Sequence, residues 1–324
     1  MSKLAGTQAD PQKRSRVIHS VSNKIGGGES LNNKKREDYN LTASIHTLAV
    51  KSEGIIDDID EAVAKCIRAS SRVKSNRSST SIINPNKLTG ELFKYSEFET
   101  ALETILAGAG IADYKIVRAD LRLDSYDEEH YREYAKLNRY LISSLAVTYT
   151  VKNCYCTTDL FSQEQLSVAI KNKYFECENY DKKAESRGLD MAASRFEERS
   201  KAMMNNDLYR EFTERWFERW DKAIQNLEQV QVRYNDELVR IWNENEEAEQ
   251  KRFITITEFL LRYQDCIFTR RQMVELLSRL PGIRNPENTA KYIKQKYKIE
   301  FFSQADVRYA IGEIKRATME FFDN

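Results

Sequence analysis

The chain has 324 residues, 51 Lys and Arg against 50 Asp and Glu, and 41% hydrophobic residues, with a mean hydropathy of −0.65. That length suits one large domain or a few small ones, and only 11 Gly and 4 Pro exclude collagen-like or Pro-rich architectures. No apolar run approaches the roughly 18 residues of a membrane-spanning helix, and the N-terminal MSKLAGTQADPQKRSR lacks the apolar core of a secretory signal. The expected location is the cytoplasm, with no membrane partner.

Residues 1–36 carry Lys3, Lys13, Arg14, Arg16, Lys24, Lys34, Lys35 and Arg36 against only Asp10 and Glu29. Their Gly-Ser-Asn content reads as a flexible basic arm, either laid along a phosphate backbone or simply solvated. The five cysteines, Cys66, Cys154, Cys156, Cys177 and Cys266, are odd in number and scattered. They read as reduced thiols, neither a disulfide framework nor a zinc site.

The first patterned segment, Tyr39 to Val50, alternates and is rich in β-formers, which predicts a strand. Ile55, Ile59, Val63 and Ile67, four apart, predict an amphipathic helix over 54–69. Ser79–Ile83 predicts a second strand, stopped by the turn residues Asn84-Pro85-Asn86. A helix follows over 93–109, ended by Gly108 and Gly110, then a strand over Tyr114–Asp124 and a helix over 127–145. Two or three strands are expected next, at Ala146–Val151, Leu166–Lys171 and Tyr174–Tyr180. Ser194–Ser200 fits either a strand or a helix start.

From Asp207 to residue 262 breakers almost vanish, and Trp216, Trp220, Leu227, Tyr234, Leu238 and Trp242 keep a helical pattern. One long helix or two in tandem is expected, with Phe253–Tyr263 continuing or restarting it. No strict heptad favours a coiled coil. Thr269 and Gln272 give a helix start, Pro281-Gly282 its end, Asn285-Pro286 a second start and Ser303 a third. Three short helices with basic residues suggest a helix-turn-helix-like module, with Arg270 and Arg271 as DNA-contact candidates, or a helical cap with solvated charges.

The predicted class is therefore α+β: a largely antiparallel sheet with flanking helices, then a long helix and a small helical C-terminal module. The expected divisions are a basic arm over 1–36, an α+β domain over 37–205, a long helical segment over 206–264 and the module over 265–324.

Strand periodicity sorts the side chains that carry chemistry. Asp120, Arg122 and Asp124 share one face of their strand; Tyr174, Glu176, Glu178 and Tyr180 share a face of theirs; Arg195, Glu197 and Arg199 line up if 194–200 is extended. Clustered carboxylates suit a hard cation such as Mg2+ or Mn2+, which would polarise a phosphodiester, while arginines grip phosphate. The same pattern also describes a lattice of cross-strand ion pairs. There is no phosphate-binding Gly-Lys-Ser/Thr loop, and His19, His46 and His130 show no metal-site spacing. His46, mid-strand, reads as structural. Among 17 tyrosines, any one can attack a phosphodiester, pack or stack on bases.

Four segments in order carry a resemblance: Ile83-Asn-Pro-Asn-Lys-Leu88, Val117-Arg-Ala-Asp-Leu-Arg-Leu-Asp124, Glu178-Asn-Tyr-Asp-Lys-Lys183 and Ser194-Arg-Phe-Glu-Glu-Arg-Ser-Lys201. The chain resembles the replication initiation factors of Gram-positive rolling-circle plasmids and integrative elements. The resemblance implies an endonuclease that binds an origin and nicks one strand by metal-assisted tyrosine transesterification to start rolling-circle DNA replication. It implies Asp120, Asp124 and Glu197 at a metal and Lys182 and Arg195 on the phosphate. From the residues themselves, Lys34, Lys35 and Arg36 of the basic arm and the strand arginines Arg122 and Arg199 join Arg270 and Arg271 as candidates for DNA contact. The family's nucleophilic tyrosine lies on the strand before the Tyr180 segment. Here that strand, Leu166–Lys171, has none, so Tyr155 is favoured over Tyr149 and Tyr174. Origin DNA is the expected partner, with a host helicase recruited there and a homodimer permitted by the long helix. The alternatives are an initiator or repressor that binds DNA without cutting it, and a helical scaffold that self-associates through 207–262.

Overall fold

The computed structural model describes residues 40–52, 59–70, 79–149, 153–154, 168–188, 191–201, 203 and 206–323. Eight strands are present among them: β1 (Leu41–Ser52), β2 (Ile67–Ser70), β3 (Ser79–Ile83), β4 (Tyr114–Ser125), β5 (Asn153–Cys154), β6 (Val168–Lys171), β7 (Phe175–Asp181) and β8 (Ser194–Ser200). They form one sheet in the order β2-β3-β1-β4-β8-β7-β6-β5, and every pairing is antiparallel. The helices that flank them are α1 (Glu61–Cys66), α2 (Asn86–Thr89), α3 (Tyr95–Gly108), α4 (Tyr131–Thr148) and α5 (Lys182–Glu185).

A helical run follows through α6 (Leu208–Arg210), a π segment (Glu211–Arg215), α7 (Trp216–Ala223), a 3-10 turn (Ile224–Asn226) and α8 (Leu227–Glu247). The pattern restarts at α9 (Ile256–Arg262), and the C-terminal part holds α10 (Arg270–Arg279), α11 (Pro286–Tyr297) and α12 (Gln304–Phe322). The α+β class and the sheet's antiparallel character are as the sequence predicts.

The apolar face follows from alternation. Ile45, Leu48, Ala119, Leu121, Leu123, Phe175, Cys177 and Phe196 are buried on it. Central helix α4 lies across this face, and Asn138 donates to Asn179 at 2.8 Å. Trp216 meets Phe175 edge-on at 5.5 Å, and Trp220 sits 5.7 Å from Phe196. Aromatic rings thus seat the long helical run on the sheet. Helix α12 packs against β1, where Phe321 meets Phe98 of α3 at 6.4 Å and Arg316 donates to Asn40 at 2.8 Å. One hydrophobic core therefore runs from Leu41 through Trp242 to Phe322.

Two elements differ from expectation. The helix predicted over 54–69 is only Glu61–Cys66 among the described residues, because Ile67 leaves it to pair with Ile83 in the sheet. The strand predicted at Ala146–Val151 is helix as far as Thr148; Ala146 and Val147 pack on the core and extend the apolar face begun at Leu141 and Leu145, and the Thr148 hydroxyl bonds back to Ser144 O at 2.7 Å. The fork at 194–200 resolves as strand, since β8 lies between β4 and β7.

Candidate functional site

The opposite face of the sheet gathers the ionisable side chains. Register places Asp120 beside Arg199, Arg122 beside Glu197 and Asp124 beside Arg195 across β4 and β8. Across β8 and β7 it places Arg199 beside Glu176, Glu197 beside Glu178 and Arg195 beside Tyr180. Acids thus face arginines across the strands with one exception, Glu197 against Glu178, and that pair shares Arg199.

Arg195 holds Asp124 with Nε at 2.6 Å from Oδ1 and Nη2 at 2.9 Å from Oδ2. Arg122 reaches Ser44 Oγ at 2.5 Å, Glu91 Oε2 at 2.5 Å and Asp124 Oδ2 at 3.5 Å. Arg199 donates to Glu176 at 2.6 Å, Glu197 at 2.6 Å and Glu178 at 3.1 Å. Asp120 accepts from Arg118 Nε at 2.7 Å and from Thr47 at 2.6 Å. Tyr180 donates to Glu197 Oε1 at 2.8 Å. Asp120, Arg122, Asp124, Arg195 and Glu197 are all buried, so these pairs sit where unpaired charge is costly.

A bulge explains how β1 contributes twice. Ile45 pairs with Leu121 and Thr47 with Asp120, which leaves His46 as the extra residue. Burial, then the charges of Arg122 and Arg195, push the His46 imidazole down to about 4. It is neutral near pH 7, and its Nδ1 has no hydrogen-bond partner. Glu178 moves the other way, to about 7, through burial and the charges of Glu197 and Glu176, against the pull of Arg199. Burial, and then Glu197, push the Tyr180 hydroxyl well above its ordinary value.

The motif segments predicted from the sequence meet here. Asn86, in the Asn-Pro-Asn turn, donates to Ile45 O at 3.0 Å and accepts from Leu92 N at 3.0 Å. The chain that follows thereby presents Glu91 to Arg122. The Val117–Asp124, Glu178–Lys183 and Ser194–Lys201 segments are β4, the end of β7 with α5, and β8, which are adjacent strands. Lys182 sits 5.8 Å from the Tyr180 ring centre and pairs with Glu185 at 2.6 Å.

The expected metal set does not fit a cation in this arrangement. Asp120 and Asp124 are four residues apart on one strand, and Glu197 lies opposite Arg122 rather than beside either. Arginine nitrogens, Thr47 and Tyr180 occupy their oxygens. Among the described residues no group of three or more His, Cys, Asp or Glu is placed to hold a metal ion. Arg195 is committed to Asp124 beneath the surface. Lys182 and Arg199, each with its side chain 16% exposed, keep some access to solvent, as do Lys201 at 22% and Arg118 at 36%.

Several predicted residues stand elsewhere. Tyr155, Lys34, Lys35 and Arg36 lie outside the described residues. Arg270 pairs with Glu287 at 2.7 Å and Arg271 with Glu228 at 2.8 Å, so both DNA-contact candidates already hold a carboxylate. Tyr149 packs edge-on against Phe175 at 5.3 Å, and Tyr174 is 50% exposed under Lys173. Glu91, Ser44, Thr47 and Arg118 were not anticipated. Only Arg118, two residues before Asp120, shows the alternation that could have pointed to it.

No family model and no curated protein matches this chain. Among solved structures it is similar to the rolling circle replication initiator protein from Geobacillus stearothermophilus, with 8% identity, a TM-score of 0.31, and coverage of 85% of this chain and 97% of that one. A likeness of that size carries no functional weight by itself.

Proposed function

We propose that this protein is a replication initiator of the rolling-circle type, which binds origin DNA and cuts one strand through a tyrosine. What supports the reading is convergence: four segments spread over residues 83–201, each resembling an initiator motif, meet on one polar face of three adjacent strands and the turn beside them. Among the described tyrosines, Tyr180 suits the nucleophile's part because its hydroxyl already donates to a carboxylate, Glu197, at 2.8 Å. Glu197 takes the phenolic proton as the oxygen attacks phosphorus. The P–O3′ bond breaks, the departing O3′ receives that proton, and the products are a 3′-hydroxyl primer and a 5′-phosphotyrosine. Lys182, beside the ring, meets the phosphate.

The second reading is an initiator that binds without cutting. It is favoured by the engagement of Asp120, Asp124 and Glu197 with arginine, which makes the face a structural ion-pair lattice.

The test is supercoiled DNA of the protein's own replicon, incubated with Mg2+ or Mn2+ and run on a denaturing gel. The expected result is a nick and a covalent adduct that Tyr180→Phe abolishes and Tyr155→Phe keeps. The reverse pattern moves the nucleophile to Tyr155. Specific binding without a nick selects the second reading, and neither binding nor nicking overturns the initiator itself.

A further inference from the structure

We infer that α11 is a recognition helix whose outer face reads duplex DNA in the major groove; this rests on the DNA-binding reading but not on strand cutting. Most Arg side chains of the described helical surface already hold a carboxylate: Arg210, Arg240, Arg270, Arg271, Arg279 and Arg316 are all ion-paired. The α11 surface departs from that rule. Ala290 and Ile293 bury one side of the helix against α10. The exposed side presents Asn288, Lys291, Tyr292, Gln295 and Lys296 at i, i+3, i+4, i+7 and i+8. Its one exposed acid, Glu287, is occupied by Arg270.

These residue types match what base edges demand. Asn and Gln pair with adenine, Lys reaches guanine, and none of the five repels phosphate. Lys296 lies 5.4 Å from the Tyr292 ring centre and 5.2 Å from that of Tyr297, which orients it along the stripe. The helix is held for this use: Asn285 caps it through Asn288 N at 3.0 Å, and Pro286 opens it. Its 12 residues make a rod of about 18 Å, enough to lie in a groove about 12 Å wide. As the second helix of the α10–α11 pair it holds the position that reads bases in helix-turn-helix proteins. Arg270 and Arg271, at the start of the first helix, are ion-paired at the surface with Glu287 and Glu228.

The full-length protein is first taken through selection from a randomised 40-bp duplex library, and binding is then measured by fluorescence anisotropy on the selected duplex across a salt series. Lys291→Ala/Lys296→Ala is expected to weaken binding roughly tenfold or more and to lower the log–log salt slope by about 2. Asn288→Ala/Gln295→Ala is expected to keep the salt slope while relaxing the selected sequence. Tyr180→Phe should bind like wild type. If wild type binds and both α11 variants keep its affinity, slope and sequence, the helix is not the reader. Tighter binding to the separated single strand than to the duplex overturns the groove geometry. Absence of any wild-type binding ends the parent reading and this one together. Unchanged thermal melts of these surface variants separate a lost contact from a lost fold.

Discussion

Arg195 and Asp124 face each other across two strands and meet through two parallel hydrogen bonds, at 2.6 and 2.9 Å, with both side chains 2% exposed. Asp124→Asn leaves a guanidinium buried without its counterion. The expected loss is about 3–5 kcal/mol, because an uncompensated buried charge costs more than the pair returns. Asp124→Leu/Arg195→Met, which removes both charges, is expected to lose far less. Urea unfolding of the two variants checks this; equal losses would contradict it.

Glu198 points to the apolar side, where Trp220 donates to it at 2.6 Å and its other oxygen has no partner. Burial pushes its pKa up from 4.5 to about 8. The folded state therefore keeps a proton that the unfolded chain releases above about 4.5, so stability falls as pH rises from there to about 8. The slope from this group is at most about 1.4 kcal/mol per pH unit. Glu198→Gln keeps the acceptor for Trp220 and removes the titration. Its melting temperature should approach that of wild type at pH 4.5 and exceed it increasingly toward pH 8.

Four carboxylates surround Arg199: Glu176, Glu178 and Glu197 accept hydrogen bonds, and Asp120 lies 3.4 Å from Nε. Arg199→Met removes their shared cation. Glu178, already raised to about 7 by burial and its acidic neighbours, then holds its proton to higher pH. The variant is expected to lose more stability at pH 8 than at pH 5, since protonation relieves the repulsion. A loss independent of pH would show that Arg199 contributes packing rather than charge.

Gln272 is fully buried and serves both sides of a bend, accepting from Phe268 N at 2.7 Å and donating to Cys266 O at 2.9 Å. Gln272→Leu leaves two buried backbone groups unpaired, each worth about 1–3 kcal/mol. A clear fall in thermal midpoint is expected, with retained far-ultraviolet helicity. Thr269→Ala, which loses the N-cap bond to Gln272 N and the hydroxyl's donation to Gln231 Oε1 at 2.9 Å, should cost about 1–2 kcal/mol.

How much of this was legible from the residues depends on the element. Strand periodicity put Asp120, Arg122 and Asp124 on one face, and Arg195, Glu197 and Arg199 on another, because a period of two is a local property. That the faces coincide depends on register, which long-range pairing sets; nothing local predicts that Glu197 sits opposite Arg122. The bulge at His46 puts two consecutive residues on one face, against the alternation that periodicity assumes. Val147 misled because β-branched residues favour strands in isolation, while here it lengthens the apolar side of α4. The partners of Arg270 and Arg271 follow from tertiary packing rather than local pattern, with Glu287 17 and Glu228 43 residues away along the chain.

The pairing of β1 with α12 has a consequence for how the chain is made. Residues 41–52 leave the ribosome well before the helix that covers them, 304–322. During synthesis Leu41, Ala43 and Ile45 must wait without their final cover while residues 53–303 are translated. Their cover arrives only once residues 304–322 have emerged, so the nascent chain carries a sticky apolar face until then.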